Sequence, residues 1–168
     1  PNLIPALQDQ GIPAQKAATA ISVFGIAVIA GRLIVGYLVD KLWAPGVAAV
    51  AISLPVIGSL MLVGAPGFFI ACVAAAFLGF AAGAELDLMA FLAAKYFGLL
   101  HYAKIYAVLY AALALASGVA PMIFATIFDV TGSYNIGFLF GAGFFAVGAL
   151  MILALGRYPD PDAGTNKP

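Results

Sequence analysis

A single arginine, Arg32, lies in residues 17–40, a stretch that is otherwise predominantly apolar and long enough to cross a bilayer as a helix. A cation near the middle of the hydrocarbon costs at least ~2.5 kcal/mol on insertion scales, so a chain retains it where something polar requires it. Glu85 and Asp87, in another apolar stretch, are the acids that could meet Arg32 inside the membrane. These three charges predict either a buried ion pair or a binding site for an anion.

The composition places the whole chain in the membrane. Of its 168 residues, 65% are hydrophobic and 8% are charged, whereas a soluble domain carries about 25% charged residues. Five apolar stretches are long enough to span a bilayer, and they lie at 17–40, 46–64, 67–95, 103–128 and 134–156. They are too long for barrel strands and lack strict alternation. We therefore predict an all-α, polytopic transmembrane bundle, in which Pro55 interrupts the second span.

The cations predict how the chain crosses the membrane. Three regions that fall on one side of five spans hold most of them: Lys41, Lys95, Lys104, Arg157 and Lys167. Because positive residues concentrate in cytoplasmic loops, we expect residues 1–16 to form an external loop and residues 158–168 a cytoplasmic tail. The plasma (inner) membrane is the expected location. The chain begins at Pro1, in a polar segment, so we expect an amino-terminal part of the gene product to precede it.

The depths of the charged side chains are compatible with an ion pair. Counted from the cytoplasmic ends of their spans, Arg32 lies roughly 12 Å deep and Glu85 roughly 15 Å deep at 1.5 Å per residue. Glu85 and Asp87 are separated by a rotation of about 200°, so only one of them can face Arg32. One interpretation is a pair that fixes helix packing. The other is an anion site at Arg32 with a protonatable acid nearby.

Proton coupling has a physical basis at these acids. A carboxyl group removed from water accepts a proton more readily, and a neighbouring guanidinium opposes this. An anion that binds Arg32 would weaken the opposition and favour protonation of Glu85 or Asp87. Tyr106 and Tyr110 lie one turn apart in the fourth span. Their hydroxyls would hydrogen-bond either a carboxylate substrate or another helix.

The remaining sequence signals indicate neither an enzyme nor a cofactor protein. The chain has no P-loop, no nucleophile elbow and no pair of metal-binding histidines, and its lone cysteine, Cys72, is expected to be a packing residue. The net charge of zero gives no reason to expect nucleic acid as a partner. Glycines four residues apart, at Gly79 and Gly83 and at Gly137 and Gly141, predict close helix contacts.

Three segments carry a resemblance to the major facilitator superfamily. Gly36, Leu38, Asp40 and Lys41 match the Gly-x-Leu-x-Asp-Lys/Arg signature that closes the eighth helix of such transporters. The stretch 83–87, followed by residues 95–98, resembles the tenth helix and its exit, and residues 128–134 resemble the turn between the last two helices. The chain thus looks like helices eight to twelve, the larger part of a carboxyl-terminal half, and a partial major facilitator fold is expected.

Within the superfamily, the chain is similar to monocarboxylate porters and oxalate/formate antiporter-like proteins, in which a Gly-Arg pair in the eighth helix directs an arginine toward the substrate path. This resemblance implies secondary active transport of a small organic anion by alternating access, proton-coupled or by antiport. Arg32, Tyr106 and Tyr110 would bind the substrate, and Gly36, Asp40 and Lys41 would form a gating motif. The absent amino-terminal helices would be partners. The alternative is a non-transporting membrane subunit whose buried charges dock a partner helix.

Overall fold

The computed structural model describes residues 3–64 and 66–156, and this part of the chain is helical with short connections. The helices are α1 (Leu3–Asp9), α2 (Ala14–Val39), α3 (Ala44–Met61), α4 (Phe68–Phe97), α5 (Tyr102–Thr131) and α6 (Asn135–Leu153). The five helices α2 to α6 are long and apolar enough to cross a membrane, which confirms the predicted bundle. Their bounds differ from the predicted spans by a few residues. The predicted cytoplasmic tail, 158–168, lies outside the described residues.

The segment predicted as an external loop contains the short helix α1. Its residues Ala6 and Leu7 are almost fully buried, and they pack in one apolar cluster with Leu62 at the end of α3. The Gln10 side chain, just after α1, donates a hydrogen bond from Nε2 to the carbonyl oxygen of Leu62 at 2.9 Å. An apolar contact and a hydrogen bond therefore hold this segment against the bundle.

Proline and glycine act differently at the helix interiors and ends. The expected interruption at Pro55 is wrong, because α3 continues from Ala44 to Met61 with Pro55 fully buried inside it. Burial among neighbouring helices lets a membrane helix tolerate the missing backbone donor. By contrast, α5 ends where Gly132 adopts φ 68°, a left-handed conformation that most side chains disfavour.

Helix α4 is the centre of the bundle. Helices α2 and α3 both pack on α4, and α6 packs on α3. A second apolar cluster joins α2, α3 and α4 around Val35, Ala48, Ala84 and Leu88. Helix α5 makes only slight contact with α4 and α6, and none of its residues is buried.

Helices α2 and α4 approach so closely that their backbones touch. A Cβ atom built on Gly79 would overlap the carbonyl oxygen of Phe24, and one built on Gly83 would overlap that of Val28. On the other helix, a Cβ on Gly31 would overlap the carbonyl oxygen of Phe80. The close contact predicted for Gly79 and Gly83 is therefore confirmed. We call this contact the α2–α4 seam, formed by these six residues.

The second glycine pair makes a looser contact. A Cβ on Gly137 would lie 3.0 Å from the ring of Phe124 in α5, and one on Gly141 would lie 3.7 Å from that ring. The predicted close helix contact is not found here, because the glycines meet an aromatic side chain of α5 and not a facing backbone. Phe124 also meets Phe138 edge to face, with ring centroids 6.1 Å apart.

Candidate functional site

Two charged residues continue the spacing of the seam toward the carboxyl-terminal ends of α2 and α4. Two of the seam contacts, Phe24 with Gly79 and Val28 with Gly83, are four residues apart on each helix. The next step of four leads to Arg32 and Asp87. Residues four apart form one ridge along a helix, so the packing that brings the glycines together also brings these side chains together. The Arg32 Nε atom lies 3.3 Å from Asp87 Oδ2. Of the two candidate acids, Asp87 is thus the partner of Arg32.

This ion pair leaves most of the arginine's binding capacity unused. A guanidinium carries five N–H donors and has no acceptor. The closest approach to Asp87 is made on the Nε side, and no guanidinium N–H of Arg32 makes a hydrogen bond of good geometry with the described residues. The side chain of Arg32 is 53% exposed and that of Asp87 is 38% exposed. The pair is open on one side and can accept a further polar group.

Glu85 lies apart from this pair, although it is only two residues away along α4. Its side chain is exposed, and it forms no ion pair and no hydrogen bond with any other described residue. The half-turn between the two acids accounts for the difference, because Asp87 follows the ridge that faces α2 and Glu85 does not. The bundle therefore holds one paired and one unpaired carboxyl group within a single turn of α4.

The tyrosines of α5 form a stacked row on an open helix. Tyr102 and Tyr106 have ring centroids 5.6 Å apart, and Tyr106 and Tyr110 are 6.2 Å apart. Their hydroxyls make no hydrogen bond in the part of the chain that the structure describes. No hydrogen bond or ring contact there joins them to Arg32, Glu85 or Asp87. The structure therefore stacks the tyrosines on one another and does not bring them to the ion pair.

The residues of the proposed gating motif lie at the carboxyl-terminal end of α2. Lys41 donates a hydrogen bond from Nζ to the Tyr37 hydroxyl, and this ammonium lies 4.3 Å from the centre of the Tyr37 ring. Asp40 is exposed and makes no side-chain hydrogen bond or ion pair with the other described residues. A Cβ on Gly36 would meet no atom within 4 Å, so packing in this bundle does not require a glycine there.

Two residues of this region were missed by the sequence reasoning. Gly31 is part of the seam, and its position next to Arg32 was read only as part of a family pattern. Tyr37 holds Lys41, and their spacing of four residues places both on one helix face. The spacing was a usable signal for Tyr37. No signal in the sequence pointed from Gly31 to the Phe80 backbone.

An apolar groove lies apart from Arg32, and no group of metal-ligating side chains is found among the described residues. A groove of about 450 Å³ lies between α2 and α3, but its lining residues, such as Leu38, Trp43 and Phe80, are apolar and do not include Arg32. Within 3–64 and 66–156, no three histidine, cysteine, aspartate or glutamate residues group as metal ligands. The apolar groove is therefore separate from the Arg32–Asp87 pair.

The chain matches a known family along its whole length. The sequence profile of the Major Facilitator Superfamily matches residues 1–168. No curated protein and no solved structure shows a significant match. The match supports the resemblance at the level of the superfamily, and the similarity to monocarboxylate and oxalate/formate-type members stays a prediction.

Proposed function

This chain belongs to the Major Facilitator Superfamily, a family of membrane transporters, and we propose that it transports a small organic anion such as a monocarboxylate. The observation that carries the proposal is Arg32, a cation within a spanning helix whose N–H donors make no hydrogen bond with the described residues. Keeping such a group in a membrane is costly, and an anionic substrate would repay that cost by hydrogen-bonding it.

Alternating access would need a second wall facing Arg32. We propose that the amino-terminal helices expected from the resemblance supply this wall, and that the anion binds near the bilayer midplane between the two halves. The support is the state of α5, an apolar helix of 30 residues with no buried side chain. Its stacked tyrosines, Tyr106 and Tyr110, would then face the substrate path, where their hydroxyls would find a partner.

Coupling would use the two acids of α4. Glu85 is exposed and unpaired, so it can exchange a proton without breaking the Arg32–Asp87 pair. We therefore assign the coupling proton to Glu85 in a proton-driven transporter. In an antiporter, Glu85 would remain charged and a second anion would replace the proton. These two modes predict different responses to a pH gradient.

Gating would involve the cytoplasmic end of α2. Lys41 is held over Tyr37, which leaves the Asp40 carboxylate available to meet another segment. The amino-terminal end of a helix favours an anion. The Asp40 carboxylate would therefore dock at the amino-terminal end of α5 in one conformation and leave it in the other. With the predicted topology, this contact lies on the cytoplasmic side of the plasma (inner) membrane.

A second function is compatible with the same open charges. In a non-transporting subunit, Arg32 and Glu85 would dock a polar partner helix permanently, and the uncovered face of α5 would be part of that interface. Such a subunit would show no uptake of any small anion. A stable partner protein would instead remain bound through purification and depend on Arg32.

The deciding experiment is uptake of labelled small monocarboxylates by proteoliposomes of the full-length protein. We expect Arg32→Ala to abolish uptake and Leu33→Ala, an exposed apolar residue beside it, to leave uptake close to the wild-type rate. Equal uptake by wild type and a folded Arg32→Ala variant would overturn the anion site. No uptake by the wild type, together with an Arg32-dependent partner, would favour the subunit.

A further inference from the structure

We infer that Asp87 is a positioning residue that holds one edge of the Arg32 guanidinium, so that the other edge is presented to a monocarboxylate. This inference rests on the proposed function, because it assigns a role within the same anion site. It gives the two acids of α4 different roles and assigns the ligand a single negative charge.

The seam fixes where Asp87 stands. Backbone contact at Gly83 leaves no room for α4 to move closer to α2 without a clash at Val28. Asp87 is one turn further along the same ridge, and its depth in the membrane is thereby tied to that of Arg32. Because the two helices are in backbone contact one turn away, the Asp87 carboxylate has a fixed position relative to Arg32.

The contact engages the side of the guanidinium nearest the helix. A guanidinium is planar, and its Nε and two Nη atoms present separate edges to hydrogen-bond acceptors. Asp87 Oδ2 approaches Nε at 3.3 Å, and the N–H groups at the far end, on Nη1 and Nη2, make no hydrogen bond with the described residues. A carboxylate matches two parallel N–H donors in a bidentate arrangement. The open edge therefore fits one carboxylate group.

The charges favour an anion with a single negative charge. Arg32 and Asp87 together are neutral, so a bound monocarboxylate leaves the site with one excess negative charge. A dicarboxylate would leave two excess negative charges. Among the described residues, no second cation forms an ion pair at this site. Excess charge away from water is costly. Asp87 would thus both orient the arginine and discriminate against dianions.

The test compares two substitutions of similar size in the full-length transporter. Asp87→Leu removes the carboxylate that pairs with Arg32, whereas Asp87→Asn keeps a side-chain oxygen beside Nε and loses only the charge. We expect Asp87→Leu to raise the KM for a monocarboxylate about tenfold with little change in kcat, as for one hydrogen bond lost between the substrate carboxylate and a guanidinium that Asp87 no longer positions. Asp87→Asn should recover most of that loss. Ala82→Ser, on an exposed position of α4, is the matched control.

The same variants test the discrimination between anions. Asp87→Asn should raise uptake of a dicarboxylate relative to a monocarboxylate, because it removes one negative charge next to the ligand. If both variants lower the KM for the monocarboxylate, Asp87 competes with the substrate and the positioning role is overturned. If neither variant changes KM or the preference between the anions, the role is overturned as well.

The anion site at Arg32 and the positioning role of Asp87 are overturned by different results. Uptake that survives Arg32→Ala removes the anion site itself, whatever Asp87 does. Uptake that requires Arg32 but ignores Asp87 leaves the proposed function standing and removes only the positioning role. If Asp87→Leu does not yield folded protein, Asp87→Asn alone still decides through the preference between the anions.

Discussion

The helices of the α2–α4 seam and helix α5 are similarly apolar in sequence, but the seam is tightly packed and α5 is not. Helices α2, α4 and α5 are all long and apolar enough to span a bilayer. Yet α2 and α4 touch backbone to backbone at glycines, while α5 has no buried residue. Lipid tails are as apolar as the side chains, so apolarity alone does not bring helices together. Small residues in the right register decide which helices pack.

The largest effect is expected from Gly83→Ala at the seam. The added Cβ would overlap the Val28 carbonyl oxygen, so α2 and α4 would have to separate, at a cost of about 1–3 kcal/mol. Thermal unfolding of the purified protein in detergent measures the loss. Gly118→Ala in α5 is the control, because its Cβ would meet no atom within 4 Å. Equal melting temperatures for the two variants would show that the seam is not tight.

A smaller effect is expected at Glu85, which lies on the same helix as the seam but outside it. Glu85→Gln should leave thermal stability within about 0.5 kcal/mol, since the carboxyl has no partner to lose. It should abolish the extra uptake that an inward proton gradient drives in proteoliposomes, because glutamine cannot carry a proton. Gradient-driven uptake that persists in Glu85→Gln would remove this residue from the coupling mechanism.

The smallest effect on stability is expected at Tyr106 in α5. Tyr106→Phe keeps the stacked ring and removes only a hydroxyl that has no hydrogen bond among the described residues, so unfolding should change by less than about 0.5 kcal/mol. If the hydroxyl binds the carboxylate substrate, KM should rise about tenfold or more, as for one hydrogen bond to a charged group. An unchanged KM would assign the hydroxyl no contact with the substrate.

The seam also shows how far sequence reasoning reaches at the site. The presence of Arg32, Glu85 and Asp87 in the spans follows from the sequence, and so does the rule that only one acid can face the arginine. The choice of Asp87 does not follow, because it depends on which faces of α2 and α4 meet. That register is decided by backbone contact at Gly31, Gly79 and Gly83, and these residues belong to segments distant in the chain.

The amino-acid sequence by itself determined the class of protein, the five spans and the approximate helix ends, because hydropathy and turn residues act locally along the chain. It did not determine the central position of α4, the burial of Pro55 or the packing of α1. Those features were decided by the tertiary structure, since each requires two segments far apart in sequence to meet at a given face. The open side of α5 belongs to the same category, because an apolar helix carries no local sign of whether protein or lipid will cover it.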